Sequence, residues 1–202
     1  MKRVDFKLKQ TITNREDSLE WHKSSYEIVK YLPEYYNENG CYQKEEWTSM
    51  WDIGRYIGGE LVTKEDYLAI ENQYVNTALD IMEKGGCKLM TVVFWGGRIK
   101  PVIPSLIKES PLGDADVSLY RSSFGLRSGC RVSLDKAALL LRLSLREWNC
   151  FYLVNLLHDT QIDVGYDYYM HVHSGLPIQR ITEIVESHRL YLNPRQRAHK
   201  SE

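Results

Sequence analysis

The sequence predicts an α+β fold, a mainly antiparallel sheet packed with about three to four helices. Three observations carry this. Residues 162–173, Ile-Asp-Val-Gly-Tyr-Asp-Tyr-Tyr-Met-His-Val-His, alternate apolar and polar side chains, the period of a long strand with one buried face. Residues 63–86 place apolar side chains at three- and four-residue steps between a hydroxyl cap and two glycines, the pattern of a long helix. No internal repeat and no Ser/Gly/Pro-rich linker divides the 202 residues, so 1–202 is read as one domain, with 1–60 as a candidate N-terminal subregion.

The elements follow in chain order. Val4 to Thr13 alternates loosely and is read as an edge strand. Ser24 or Ser25 is placed as the cap of a short helix carrying Tyr26, Ile28, Val29 and Leu32, stopped near Pro33. Asn37-Glu38-Asn39-Gly40 is a turn by composition, and Gly54, Gly58 and Gly59 bracket a second irregular stretch. Thr63 then offers a hydroxyl to the first free amides of the long helix, while Glu65 and Asp66 sit at the positive end of its dipole. Tyr67, Ile70, Tyr74, Ala78, Ile81 and Met82 form its apolar stripe, and Gly85-Gly86 stops it.

Lys88 to Trp95 reads as a strand. Residues 98–132 are broken by Pro101, Pro104, Pro111 and Gly113, and the expectation there is loop with one or two short strands. A second helix spans about Leu134 to Glu147 behind Ser133 or Asp135, with Arg142 and Arg146 one turn apart on one face. Phe151 to Leu157 is a strand that His158-Asp159-Thr160-Gln161 turns back into the 162–173 strand. Pro177 opens a last helix to about His188, and Leu190-Tyr191-Leu192 adds a short strand before a frayed tail.

Composition excludes several classes. Apolar residues make up 43% and charged residues 26%, ordinary for a globular chain. A net charge of −1 argues against a general nucleic-acid binder, so no direct nucleic-acid binding is expected. No window approaches the roughly 18 apolar residues of a membrane span, so no membrane partner is expected. The start, Met-Lys-Arg-Val-Asp-Phe-Lys-Leu-Lys, leads into no apolar run, and no secretory signal is expected. Cys41, Cys87, Cys130 and Cys150 form no Cys-x-x-Cys pair, which fits reduced thiols in a cytoplasmic protein.

Candidate chemistry is sparse. His171 and His173 stand at i and i+2 on the predicted strand with Asp163 and Asp167 on the same face, and imidazole and carboxylate are ligands for a divalent metal. The other histidines have no matching spacing, so the expected metal site is none, with His171 and His173 kept as the centre of an alternative metal-dependent hydrolase. No Gly-x-Ser-x-Gly and no Walker-type phosphate loop occurs, and no cofactor is expected. Arg142 and Arg146 with Arg121, Arg127 and Arg131 are weighed as a solvated face against an anion patch.

The most unusual surface load lies between residues 16 and 60, where ten acids stand against four bases and nine tyrosines and tryptophans are interleaved. Tyrosine and tryptophan give large contact area at little rotamer cost, and acids around them steer a basic partner.

The run Gly165-Tyr-Asp-Tyr-Tyr-Met-His-Val172, followed by a helix and Leu190-Tyr-Leu-Asn-Pro194, resembles the C-terminal pattern of immunity proteins from bacterial polymorphic-toxin and contact-dependent growth inhibition systems. Ile53-Gly-x-x-x-Gly-Gly-x-Leu61 with Thr63-x-x-x-Tyr67 and Glu71 is compatible with the same group. The resemblance implies a small cytoplasmic protein that binds and neutralises one cognate toxin domain, often a nuclease. It does not imply which residues make the contact. From charge and aromatic load, the expected partner-binding residues are Asp163, Asp167, Tyr169, Glu45, Glu46 and Trp47. The expected mechanism is occlusion of the toxin's active site, with no catalytic residues of the chain's own.

Overall fold

The computed structural model describes residues 10–12, 24–94, 109–123 and 125–194. Its centre is a seven-stranded sheet in the order β5-β4-β6-β7-β8-β1-β9. The strands are β1 (Ser25–Val29), β4 (Leu89–Val93), β5 (Arg131–Ser133), β6 (Tyr152–Asn155), β7 (Thr160–Val164), β8 (Met170–Ser174) and β9 (Tyr191–Leu192). Every pairing is antiparallel. A separate hairpin is formed by β2 (Tyr56–Ile57) and β3 (Glu60–Leu61). Among the described residues, four complete helices accompany them: α1 (Lys64–Lys84), α2 (Asp114–Ser122), α3 (Leu134–Leu145) and α4 (Ile178–Ser187). The fold class is α+β, as expected.

The helices share one face of the sheet. Helix α1 packs on α3 and α4, α3 lies against β4, β5 and β7, and α2 lies against α3. Tyr26, Ile28, Met90, Val92, Leu153, Ile162, Met170 and Val172 point into this layer and are buried with Tyr74, Ala78, Ile81 and Leu140. On the opposite face Val93 and Val154 are covered by Ile12, from a helical turn at residues 10–12.

Helix α1 is built as its sequence dictates. The Thr63 hydroxyl accepts from the Asp66 N–H, and the Asp66 carboxylate accepts in return from the Thr63 N–H, a reciprocal capping box. Gly85 and Gly86 end it, Gly86 at a φ of 84°, where a β-carbon would be strained. Ser133 caps α3 through the Lys136 N–H, and Pro177 precedes α4.

Three expectations are corrected. The long strand over 162–173 is a hairpin: β7 runs to Val164, a loop turns at Gly165–Tyr169, and β8 returns from Met170. The alternation survives because Ile162 faces Val172, Val164 faces Met170 and Asp163 faces His171, so even positions meet even ones. Period 2 cannot distinguish one strand from two joined by a loop that preserves parity. Residues 25–29 form strand β1, not a helix. They are flanked by β8 and β9, and Tyr26 and Ile28 alternate into the core. A helix ending at Pro33 has too few turns to compete with two strand partners. Residues 114–122 form helix α2 where loop was expected, ordered by its contact with α3. The Val4–Thr13 reading lies outside the described residues except at 10–12, which are helical, and the 195–202 tail lies wholly outside them.

Candidate functional site

One end of the sheet gathers most of the expected contact residues. The β7–β8 loop is unusual in holding two consecutive non-glycine residues in the left-handed region, Asp167 at φ 54° and Tyr168 at φ 60°. Such conformations cost of order 1 kcal/mol each and persist where the surroundings hold them. Two tyrosine hydroxyls supply the restraint. Tyr31 donates to the Asp167 carbonyl at 2.6 Å, and Tyr74, from the inner face of α1, donates to the Tyr168 carbonyl at 2.6 Å. Burial pushes the hydroxyl pKa of both above its ordinary value, keeping them neutral donors.

Around this loop lie two groups of aromatic rings that Lys30 bridges. Tyr169 packs at a tilt against Tyr31 at 5.6 Å between ring centroids, Tyr31 likewise against Tyr42 at 4.9 Å, and Trp47 meets Tyr168 edge-on at 5.2 Å. Such pairs add roughly 0.5–1.5 kcal/mol each beyond their buried area. Lys30 is threaded between the two groups. Its Nζ sits 4.0 Å from the Trp47 ring centroid and 3.0 Å from Glu46 Oε2. Burial pulls the ammonium pKa down, and Glu46 opposes that fall. Glu46 therefore faces an internal cation before any external one.

Beyond Trp47 opens a groove of about 440 Å³, walled by residues 43–47 on one side and by the β2–β3 hairpin and the start of α1 on the other. Glu45, Glu46, Glu60 and Asp66 line it against the single base Lys44. Glu45 also accepts from the Gly58 N–H at 3.3 Å, tying the hairpin tip to the opposite wall. Glu46, Trp47, Asp167 and Tyr169 thus come together, and Glu45 borders the same end.

Asp163 lies elsewhere, on the outer face of the sheet. There Asp163, His171 and Glu27 form a row across β7, β8 and β1, with His171 Nδ1 3.1 Å from Asp163 and Nε2 3.3 Å from Glu27. Asp163 and then Glu27 hold the imidazolium, raising its pKa to about 10. Two residues further along both strands, Ser25 Oγ lies 3.3 Å from His173 Nδ1, and His173 Nε2 lies 3.1 Å from Asp159. Both ring nitrogens of each histidine are engaged by neighbouring side chains, three of them across strands and the fourth by Asp159 in the β6–β7 turn. Among the described residues no group of three or more His, Cys, Asp or Glu side chains is placed to hold a metal ion.

Arg142 of α3 and Arg146, at its C-cap, are not an anion patch. Arg146 grips Glu71 through Nε at 2.5 Å and Nη2 at 2.8 Å, and Asp116 through Nη1 at 2.6 Å. Arg142 reaches Glu71 at 2.6 Å and Asn72 at 2.7 Å, and Ser110 donates to Asp116. Burial disfavours the Arg146 cation, and the two carboxylates more than reverse that. The network clamps α1, α2 and α3 together. Sequence reasoning missed Glu71 as a buried acid, yet it sits four residues after Tyr67 and three before Tyr74, inside the apolar stripe of α1.

No family model, curated protein or solved structure matches this chain. Among the described residues no helix is long and apolar enough to cross a membrane.

Proposed function

We propose that the chain acts by docking onto another protein, as an immunity protein that occludes the active site of a basic toxin domain, a nuclease being the expected class. The observation that carries this is the acidic groove beside the aromatic rings. Four carboxylates line it against one lysine, and Trp47 forms part of its wall. Interfaces of this kind use charge to raise the encounter rate and buried aromatics to slow release. Glu45, Glu46, Trp47, Asp167 and Tyr169 belong to the docking end. Asp163 is proposed to contribute from the outer face, through charge left after its tie to His171. The cytoplasm, where such a toxin would act, is the proposed location.

The test is inhibition. The activity of a toxin domain encoded beside this chain is titrated with the purified chain. Complete loss at one-to-one stoichiometry supports the reading, and full activity under a large molar excess of the chain removes it.

A further inference from the structure

The β2–β3 hairpin is a small arm with no core of its own. Two-residue strands are marginal without outside support, and here the support is supplied deliberately. At its root, the Gly54 N–H donates to the Val62 carbonyl at 2.8 Å and the Val62 N–H to the Arg55 carbonyl at 2.9 Å, with Val62 buried. Ser49 and Asp52 form a capping box just before it, over the fully buried Met50. At its tip, Gly58 and Gly59 have φ of 59° and 86°, the left-handed pair a two-residue hairpin turn demands. A β-carbon on Gly58 would lie 2.8 Å from the Glu45 carbonyl oxygen, so the arm is held close against residues 43–47.

What this scaffold displays is apolar. Tyr56 and Leu61 are cross-strand partners and so share one face, yet they are 75% and 45% exposed. Trp51, in the turn that leads into the arm, is also exposed. A paired, rigidly held apolar face in water is the anatomy of a contact site. Its surroundings select the occupant, because the groove beside it is lined by Glu45, Glu60 and Asp66 against Lys44, with Glu46 already paired to Lys30.

We infer that this arm is the gripping element of the interface. Tyr56 and Leu61 enter an apolar pocket on a basic protein domain, and the groove carboxylates take the lysines and arginines rimming that pocket. This rests on the docking function proposed above and adds the element and the anchors that perform it.

The experiment places the photo-crosslinking residue p-benzoylphenylalanine at position 56, and separately at position 157. Leu157 is equally open but lies in the β6–β7 turn, at the opposite end of the sheet. Full-length chains are irradiated in host cells, adducts are identified by mass spectrometry, and the partner is purified for calorimetry. The expected result is an adduct with a basic protein from position 56 only. Tyr56→Ala and Leu61→Ala should each weaken that partner by about 30-fold or more, the loss typical of an interface anchor, with unchanged thermal unfolding. An adduct from position 157 alone, a covalent pair of this chain, an acidic partner, or unchanged affinity in both variants overturns the arm while leaving docking in place. No adduct from either position removes the docking function with it.

Discussion

Asp163 and His171 stand directly opposite each other on neighbouring strands, Asp163 Oδ2 3.1 Å from His171 Nδ1. Glu27, from the next strand, meets the other ring nitrogen. The imidazole is thereby fixed as a cation between two carboxylates. It acts as a charged rung across three strands.

The pH dependence follows from that charge. The folded-state pKa rises from 6.5 to about 10, so the unfolded chain releases the proton first as pH increases. The stabilisation is complete below about pH 6.5 and is lost as pH climbs toward 10. With the side chain 46% exposed, solvent screens the gain and keeps it small. The stability difference between wild type and His171→Gln should be largest near pH 6 and vanish near pH 10. Urea denaturation across this range checks it, as does an NMR titration in which His171 keeps its proton at pH 8.

The clamp between α1, α2 and α3 predicts a larger effect. Arg146→Ala leaves Glu71, which is 0% exposed, and Asp116 without their main counter-ion. Breaking one side of such a buried pair costs about 3–5 kcal/mol. Chemical denaturation should show that loss. The double replacement Arg146→Met with Glu71→Leu should recover part of it, because it removes the stranded charge at Glu71 as well.

The β7–β8 loop separates strain from restraint. Tyr74→Phe removes the hydroxyl that meets the Tyr168 carbonyl and should destabilise by about 1–2 kcal/mol. Asp167→Gly relieves a left-handed φ of 54° and should stabilise by up to about 1 kcal/mol. Equal signs for the two variants in thermal unfolding would contradict this account.

Charge at the groove should act on association rate. Glu45→Gln with Glu60→Gln leaves the exposed side chains in place but removes two of the four groove carboxylates. Stopped-flow mixing with the proposed basic partner should show slower binding, a weaker dependence on salt and little change in dissociation.

Much of the architecture was legible locally. Thr63, Asp66 and the Gly85-Gly86 stop specify α1 because a cap and a terminator act within a few residues of where they stand. The Leu134 and Ile178 helices and the Leu190–Leu192 strand were legible for the same reason, whereas the turn expected at 158–161 sits earlier in the chain, because Thr160 and Gln161 already pair within β7. The candidate site was only half legible. Glu45, Glu46 and Trp47 were selected by composition, and the groove contains all three. Tyr56 and Leu61 were hidden, since nothing in a two-residue strand reports that its side chains stay in water.

By itself, then, the sequence determined which faces are apolar and where most helices begin and end, because periodicity and capping are short-range. Tertiary structure alone decided that 162–173 folds back on itself, that residues 25–29 are a strand between two partners, and that Glu71 meets Arg142 and Arg146. Those outcomes depend on groups far apart in the chain. Strand pairing and buried charge pairing become favourable only when a distant partner arrives, and no local pattern encodes that arrival.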